Sequence, residues 1–91
     1  MSRDIRHNPE QQRFEHIEDG ALCVLDYRLD GDTMTITHTG VPDAVGGRGI
    51  AADLSQKSLE TARARGWKVR PLCSYVAHYI SRHPQFQDLL A

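Results

Sequence analysis

No apolar stretch in these 91 residues approaches the ~20 that a helix needs to cross a bilayer, so no membrane-spanning segment is expected. The opening Met1-Ser2-Arg3-Asp4-Ile5-Arg6-His7 lacks the apolar centre of a secretion signal. Cysteine is scarce. Cys23 and Cys73 are the only two, no CxxC pairs them, and a reduced, cytoplasmic setting is the simpler expectation. The five histidines, at 7, 16, 38, 78 and 83, fall into no H-x-x-x-H or cysteine-paired spacing, which argues against a metal site. Neither sign of charge dominates. A net charge of -1 offers no electrostatic reason to expect nucleic acid or a membrane surface as partner. Repeats, low-complexity tracts and linkers are also missing. The length then allows one domain over residues 1–91, of a size that buries roughly 60–65% of its unfolded surface.

What is present is a sequence of short alternating segments followed by two helical ones. Residues 1–10 read as a polar lead-in. Gln12 to Glu18 reads as a short strand anchored by Phe14, and Gly20 breaks it. In 21–29, Ala21, Cys23, Leu25, Tyr27 and Leu29 share one face of a strand. Leu22 and Val24 on the other face imply that it is partly covered too. Asp30-Gly31-Asp32 is a hairpin turn, and 33–41 is the return strand, rich in β-branched threonine. In that strand His38 continues the alternation of Met34 and Ile36, so burial is its expected state.

The second half opens on Val45-Gly46-Gly47-Arg48-Gly49-Ile50-Ala51. Three glycines in four positions let a backbone approach a ligand closely. The helix that follows offers free N–H groups and the positive end of its dipole, which together favour a phosphate. No Gly-Lys-Ser/Thr follows, so this is not a P-loop, and the spacing is not G-x-G-x-x-G. The helix runs from Gly49 or Ile50 to a stop at Gly66, with Ile50, Ala51, Leu54, Ser58 and Ala62 as its inner stripe and Leu59 at the margin. Trp67 to Leu72 is a strand, and strand–helix–strand makes a βαβ crossover with parallel strands. A second helix spans Ser74 to His83, with Ser74 as N-cap and Pro84 as stop. Both helices then begin at the carboxyl rim of the parallel strands, where ligands of such sheets bind. Cys73, Tyr75, Tyr79 and His38 lie within reach of that rim.

This arrangement resembles the GNAT superfamily, the general-control-related N-acetyltransferases, and within it a small one-domain group. Residues that carry the likeness are His38-Thr39-Gly40-Val41-Pro42, Gly47-Arg48-Gly49-Ile50-Ala51, Pro71-Leu72-Cys73-Ser74-Tyr75-Val76 and Tyr79-Ile80-Ser81-Arg82-His83-Pro84, over roughly 12–90. Gly46 stands where the superfamily motif has Gln or Arg. The resemblance implies an α+β fold: a mixed sheet with antiparallel N-terminal strands, a βαβ crossover and a C-terminal helix. It also implies acetyl-coenzyme A as acetyl donor and coenzyme A as product. Backbone groups from Gly46 through Gly47, Arg48, Gly49 and Ile50 to Ala51 would hold the pyrophosphate, with Arg48 adding charge or standing in solvent. The pantetheine arm would lie near Thr39 and Val41 and bring the thioester to Cys73, Ser74 and Tyr75.

In that reading Tyr79, with Tyr75 as alternative, protonates the departing thiolate. Cys73 contacts the thioester or accepts the acetyl group, beside a helix start that favours a thiolate. His38 is a candidate base if it reaches the amine. The acceptor would be a primary amine, either a small amine or a protein lysine, on a shallow and open side. The competing reading is a non-catalytic binding module for coenzyme A or acyl-coenzyme A, or an interaction domain. Neither oligomeric state nor acceptor identity follows from the residues.

Overall fold

The computed structural model describes residues 3–91. Five strands form one sheet in the order β1-β2-β3-β4-β5: β1 Arg6–Asn8, β2 Arg13–Glu18, β3 Ala21–Asp30, β4 Thr33–Gly40 and β5 Lys68–Pro71. The first four pair antiparallel and β4–β5 is parallel. Helix α1, Ile50–Arg65, connects the parallel pair, and α2, Ser74–Arg82, follows β5. The fold is α+β, as the alternation and the crossover imply.

Two tight hairpins build the antiparallel half. Glu18 pairs with Ala21 across Asp19-Gly20, whose φ values of 50° and 78° are the pair of positive angles that matches strand twist in a two-residue loop. Asp30 pairs with Thr33 across Gly31-Asp32. The polar lead-in expected over residues 1–10 is corrected from residue 3 onward, while Met1 and Ser2 lie outside the described residues. Arg6–Asn8 adds an edge strand to β2, and Ile5 is buried in the core. Three residues with one apolar anchor are too short for alternation to reveal, which is why this strand reads as polar chain.

Helix α1 ends as expected. Gly66 sits at φ 72°, and the Trp67 N–H reaches back to the Ala62 carbonyl at 2.8 Å. Ser55 and Ser58 are fully buried, yet each hydroxyl donates to a carbonyl of its own helix at 2.8 Å, so small side chains let α1 press on the sheet without orphaned polar groups. Leu59, expected at the margin, is fully buried beside Leu54. The C-terminal segment covers the free edge of β5: Leu90 bridges Val69, and the Ala91 N–H donates to the Val69 carbonyl at 2.9 Å.

Phe14, Cys23, Leu25, Tyr27, Met34, Ile36 and Val69 all lie on one sheet face, under α1, α2 and the 3-10 turn at Pro84–Leu89. Leu29 shares that face but lies beyond the helical cover and is exposed. Among the described residues the opposite face carries none that is buried. Ile17 and Leu22, a cross-strand pair, stand exposed there, which corrects the expectation that this side is partly covered at Leu22.

Candidate functional site

The site begins where β4 and β5 part. Their pairing runs from Thr33↔Lys68 to Ile36↔Pro71 and stops. The N–H groups of Leu72 and Cys73 both turn back to the Ile36 carbonyl, each at 3.0 Å. Past that point β4 keeps its partner β3 and no longer has β5 on its other side. An interruption also sits in the β3–β4 register: Tyr27 pairs with Ile36, but Asp26 pairs with His38, so Thr37 is an extra residue, a β-bulge.

The bulge decides which side chains meet. One inserted residue reverses the alternation downstream. Thr39 therefore pairs with buried Leu25 and turns to the helical face, where its Oγ1 lies 3.4 Å from Cys73 Sγ. His38 pairs with Asp26 and turns to the open face, where it is exposed. This corrects the expectation that His38 is buried beside Met34 and Ile36. Its ring folds over Gly40, where a Cβ would meet His38 Nε2 at 2.9 Å, so Gly40 is a glycine because the imidazole occupies that space. His38 and Cys73 thus flank the gap from opposite faces.

Cys73, not Ser74, is the residue preceding the first turn of α2, with φ -70° and ψ 123°, and no side chain caps that helix. This corrects the Ser74 cap. Burial alone would push the Cys73 thiol up. The Thr39 hydroxyl at 3.4 Å, and the dipoles of the nearby backbone N–H groups of Val76, Tyr75 and Thr39, favour the thiolate and outweigh burial, so the thiol titrates below its ordinary value. The buried Cys23 shifts the other way, raised chiefly by burial.

Beside this gap lies the glycine loop. Gly47 and Gly49 sit at φ 77° and 82°, the left-handed region that side chains resist, yet a Cβ on either would meet nothing within 4 Å. These two glycines are required by conformation, not by space. Among the described residues no protein acceptor takes the N–H groups of Gly47, Arg48, Gly49, Ile50, Ala51 or Ala52; the first satisfied amide of α1 is Asp53, bonded to the Gly49 carbonyl at 3.1 Å. Val41, Gly46, Gly47, Gly49, Ile50, Ala51 and Tyr75 line a cleft of about 270 Å³ over these amides. A run of free N–H donors at a positive helix end fits a pyrophosphate.

Arg48 points elsewhere. Its Nη1 donates to Asp19 at 2.7 Å and to Glu18 at 3.4 Å, so its charge is taken by carboxylates. Glu18 is a node. It accepts Arg3 Nε at 2.9 Å and meets His16 Nε2 at 2.8 Å, and Arg3 with the other donors lowers its carboxyl to about 2. Arg3 also donates to Asp53 at 2.6 Å and to the Arg48 carbonyl at 2.8 Å. None of Arg3, Glu18, Asp19 and Asp53 stands out as a site residue in the sequence. Only the Asp19-Gly20 hairpin signal places that turn, and nothing local says that it faces the glycine loop.

Of the two tyrosines, Tyr75 lines the cleft and is 40% exposed. Tyr79 is buried, stacked on His83 at 3.8 Å between ring centres and near Phe86 at 6.3 Å. Both phenols are raised, Tyr75 by burial and then Asp53, Tyr79 by burial and then Tyr75, Glu60 and Asp53. Each therefore holds its proton at neutral pH.

The chain is similar to known proteins in sequence and in fold. Protein NATD1 of Xenopus tropicalis is 28% identical over 89 residues, covering 98% of this chain and 81% of the relative. Protein NATD1 of Mus musculus is 31% identical over 88 residues, covering 93% and 80%. The solution structure of a GCN5-like protein from Staphylococcus aureus superposes with a TM-score of 0.76 at 30% identity, covering all of this chain and 91% of the other. Residues 13–89 match the family model described as GCN5-related N-acetyl-transferase. The chain belongs to the GCN5-related N-acetyltransferase family.

Proposed function

We propose that this protein binds acetyl-coenzyme A and transfers its acetyl group directly to a primary amine. The observation that carries the reading is the convergence at one rim of six unclaimed amides, 47–52, with the unpaired half of β4 and the Cys73–Thr39 contact. An anion cradle alone fits many phosphates. A strand edge beside it, left open for roughly the length of an extended arm, fits a phosphopantetheine.

In this reading the amides of 47–52 bind the pyrophosphate, and the free edge of β4 from Thr37 to Gly40 pairs with the amide groups of the arm. Acetyl-coenzyme A supplies an activated acyl group. Thr39 and the first turn of α2 fix Cys73 beside the place where the thioester arrives. Tyr75, in the cleft and protonated, takes the role expected first of Tyr79, which is buried against His83: it supplies the proton that a departing thiolate takes up, with Tyr79 now the alternative. His38 is the base in this reading, taking a proton from an amine that approaches over the open face; its exposure on that face supports the assignment. A small amine and a protein lysine are both compatible with so open a side.

The test is a melting series with acetyl-coenzyme A, coenzyme A and ATP side by side. At a hundredfold excess over its dissociation constant a ligand adds about 2.7 kcal/mol to stability. The two coenzyme A species are expected to raise the melting temperature and ATP to leave it unchanged. Release of free coenzyme A over a panel of amines then separates enzyme from binding module. Tyr75→Phe should slow turnover while binding persists. Retained binding without turnover on any amine would support the module.

A further inference from the structure

We propose that Arg3 and Glu18 are positioning residues for the anion cradle: they hold the Arg48 carbonyl so that the Gly49 N–H faces the pyrophosphate. The inference rests on the coenzyme A reading above and adds to it a part of the chain remote in sequence from every motif of the site.

The peptide between Arg48 and Gly49 is the mobile part of the cradle. Its rotation turns on ψ of Arg48 and φ of Gly49; Gly49 lies in the left-handed region at φ 82°, and glycine moves between backbone regions at little steric cost. Left to itself, that peptide can rotate as a unit. A rotation would replace an N–H at the cradle with a carbonyl oxygen, which repels a phosphate. In a planar trans peptide the C=O and the following N–H point in opposite directions. Whatever holds the Arg48 carbonyl on one side therefore presents the Gly49 N–H on the other.

Arg3 does this. One Nη donates to the Arg48 carbonyl at 2.8 Å. The rest of its guanidinium is pinned: Nε and Nη2 fork onto Glu18 at 2.9 and 3.3 Å, and Nη1 donates to Asp53 at 2.6 Å. Three groups on three separate elements thus fix one planar donor set, which a lysine ammonium on its flexible stem cannot reproduce. Arg3 and Glu18 side chains are only 22% and 18% exposed, so the ion pair between them is less screened than one on the open surface. Glu18 in turn takes Arg48 Nη1, which keeps the Arg48 side chain on the same side as its carbonyl. The donors are thereby oriented before the ligand arrives, and no reorganisation opposes binding.

The test uses the full chain, Arg3→Ala and Glu18→Gln made separately, with acetyl-coenzyme A and acetyl-pantetheine as probes. Acetyl-pantetheine has the arm and the thioester but no pyrophosphate. NMR titration reads both, including weak binding, and reports the Gly49 amide directly. Acetyl-coenzyme A is expected to bind about tenfold more weakly to either variant, with acetyl-pantetheine unchanged within about twofold. In the wild type the Gly49 amide should shift strongly with acetyl-coenzyme A, and in the variants weakly. Equal losses for the two probes would mean a merely structural role, and no loss for either would mean that the loop holds its own shape; each overturns the proposal. Glu18→Gln keeps the size of the side chain and removes its charge, so it gives a folded comparison should Arg3→Ala loosen the N-terminal segment. A wild-type chain that binds neither probe overturns the coenzyme A reading itself, a result seen before any variant is made.

Discussion

Two regions of this domain treat their polar groups in opposite ways. Under α1, His7 stacks on Phe14 with 4.3 Å between ring centres, and its Nε2 meets the Tyr27 hydroxyl at 2.6 Å. Tyr27 leans on Trp67 at 6.2 Å, and Arg65 lies over the Trp67 indole at 5.4 Å. Here the imidazole and the phenol partner each other within the protein. At the rim, by contrast, six successive amides, and the edge of β4 from Thr37 to Gly40 that faces away from β3, are left without any partner among the described residues. The first amides of a helix have no partner within it, so those at the rim stand open to a ligand. The aromatic layer carries the fold, and the rim supplies the donors that the proposed coenzyme A site uses.

The largest expected effect breaks the aromatic side. Phe14 is fully buried between His7 and Tyr27. Phe14→Ala should cost about 3–5 kcal/mol in urea unfolding, a large share of the ~5–15 kcal/mol typical of such domains. Whatever fraction stays folded should bind acetyl-coenzyme A as before. A mutant that binds tenfold more weakly per folded molecule would show that the two regions are coupled.

Gly49→Val breaks the rim. A β-branched residue at φ 82° is strained by roughly 1–3 kcal/mol. The chain should still fold, at a lower melting temperature, because no side chain packs at that position. Acetyl-coenzyme A affinity should fall by more than tenfold, since relief of the strain moves the amides. Equal affinity for wild type and variant would show that those amides are not the anion site.

How far the sequence reveals each region follows the same division. Antiparallel strands, the crossover, both helices and the Gly66 stop are legible because local periodicity and glycine placement write them into short windows. The glycine loop is legible for the same reason. The Thr37 bulge is not: Thr-Ile-Thr-His-Thr alternates without a break, and only the partner strand shows that one residue is extra. That hidden insertion is why His38 reads as buried and why the Thr39 side chain goes unnoticed. The Arg3–Glu18–Asp53 network joins residues 15 and 50 positions apart, and no local pattern encodes such a meeting.

The aromatic layer also responds to pH, with a smaller effect. Burial and then Arg65 and Lys57 lower the titration of His7 below its ordinary 6.5, and a neutral ring accepts the Tyr27 hydroxyl proton. A depressed value in the folded state means that the contribution of His7 is complete above about pH 6.5 and is lost as pH falls through the folded value. The melting temperature should therefore drop between pH 7 and pH 5. His7→Phe, which keeps the stack on Phe14, should flatten that drop. An unchanged slope would show that other groups set the acid response.

The smallest expected effect adds to the rim instead of breaking it. Gly46 is the one glycine of the loop with no conformational need to be glycine: its φ is -67°, and a Cβ there would lie 3.4 Å from the Asp43 carbonyl, at van der Waals contact. It stands where the GNAT motif has Gln or Arg, and it lines the cleft. A glutamine there can donate one hydrogen bond to a phosphate oxygen, worth about 0.5–1.5 kcal/mol, or roughly two- to tenfold in affinity. It also removes a glycine from the unfolded chain, which adds a few tenths of a kcal/mol to stability. Gly46→Gln should therefore tighten acetyl-coenzyme A and leave acetyl-pantetheine unchanged. Glutamine that tightens neither would show that the ligand's phosphates lie beyond the reach of position 46, and the pyrophosphate would then have to sit deeper, over Gly49 and the first turn of α1.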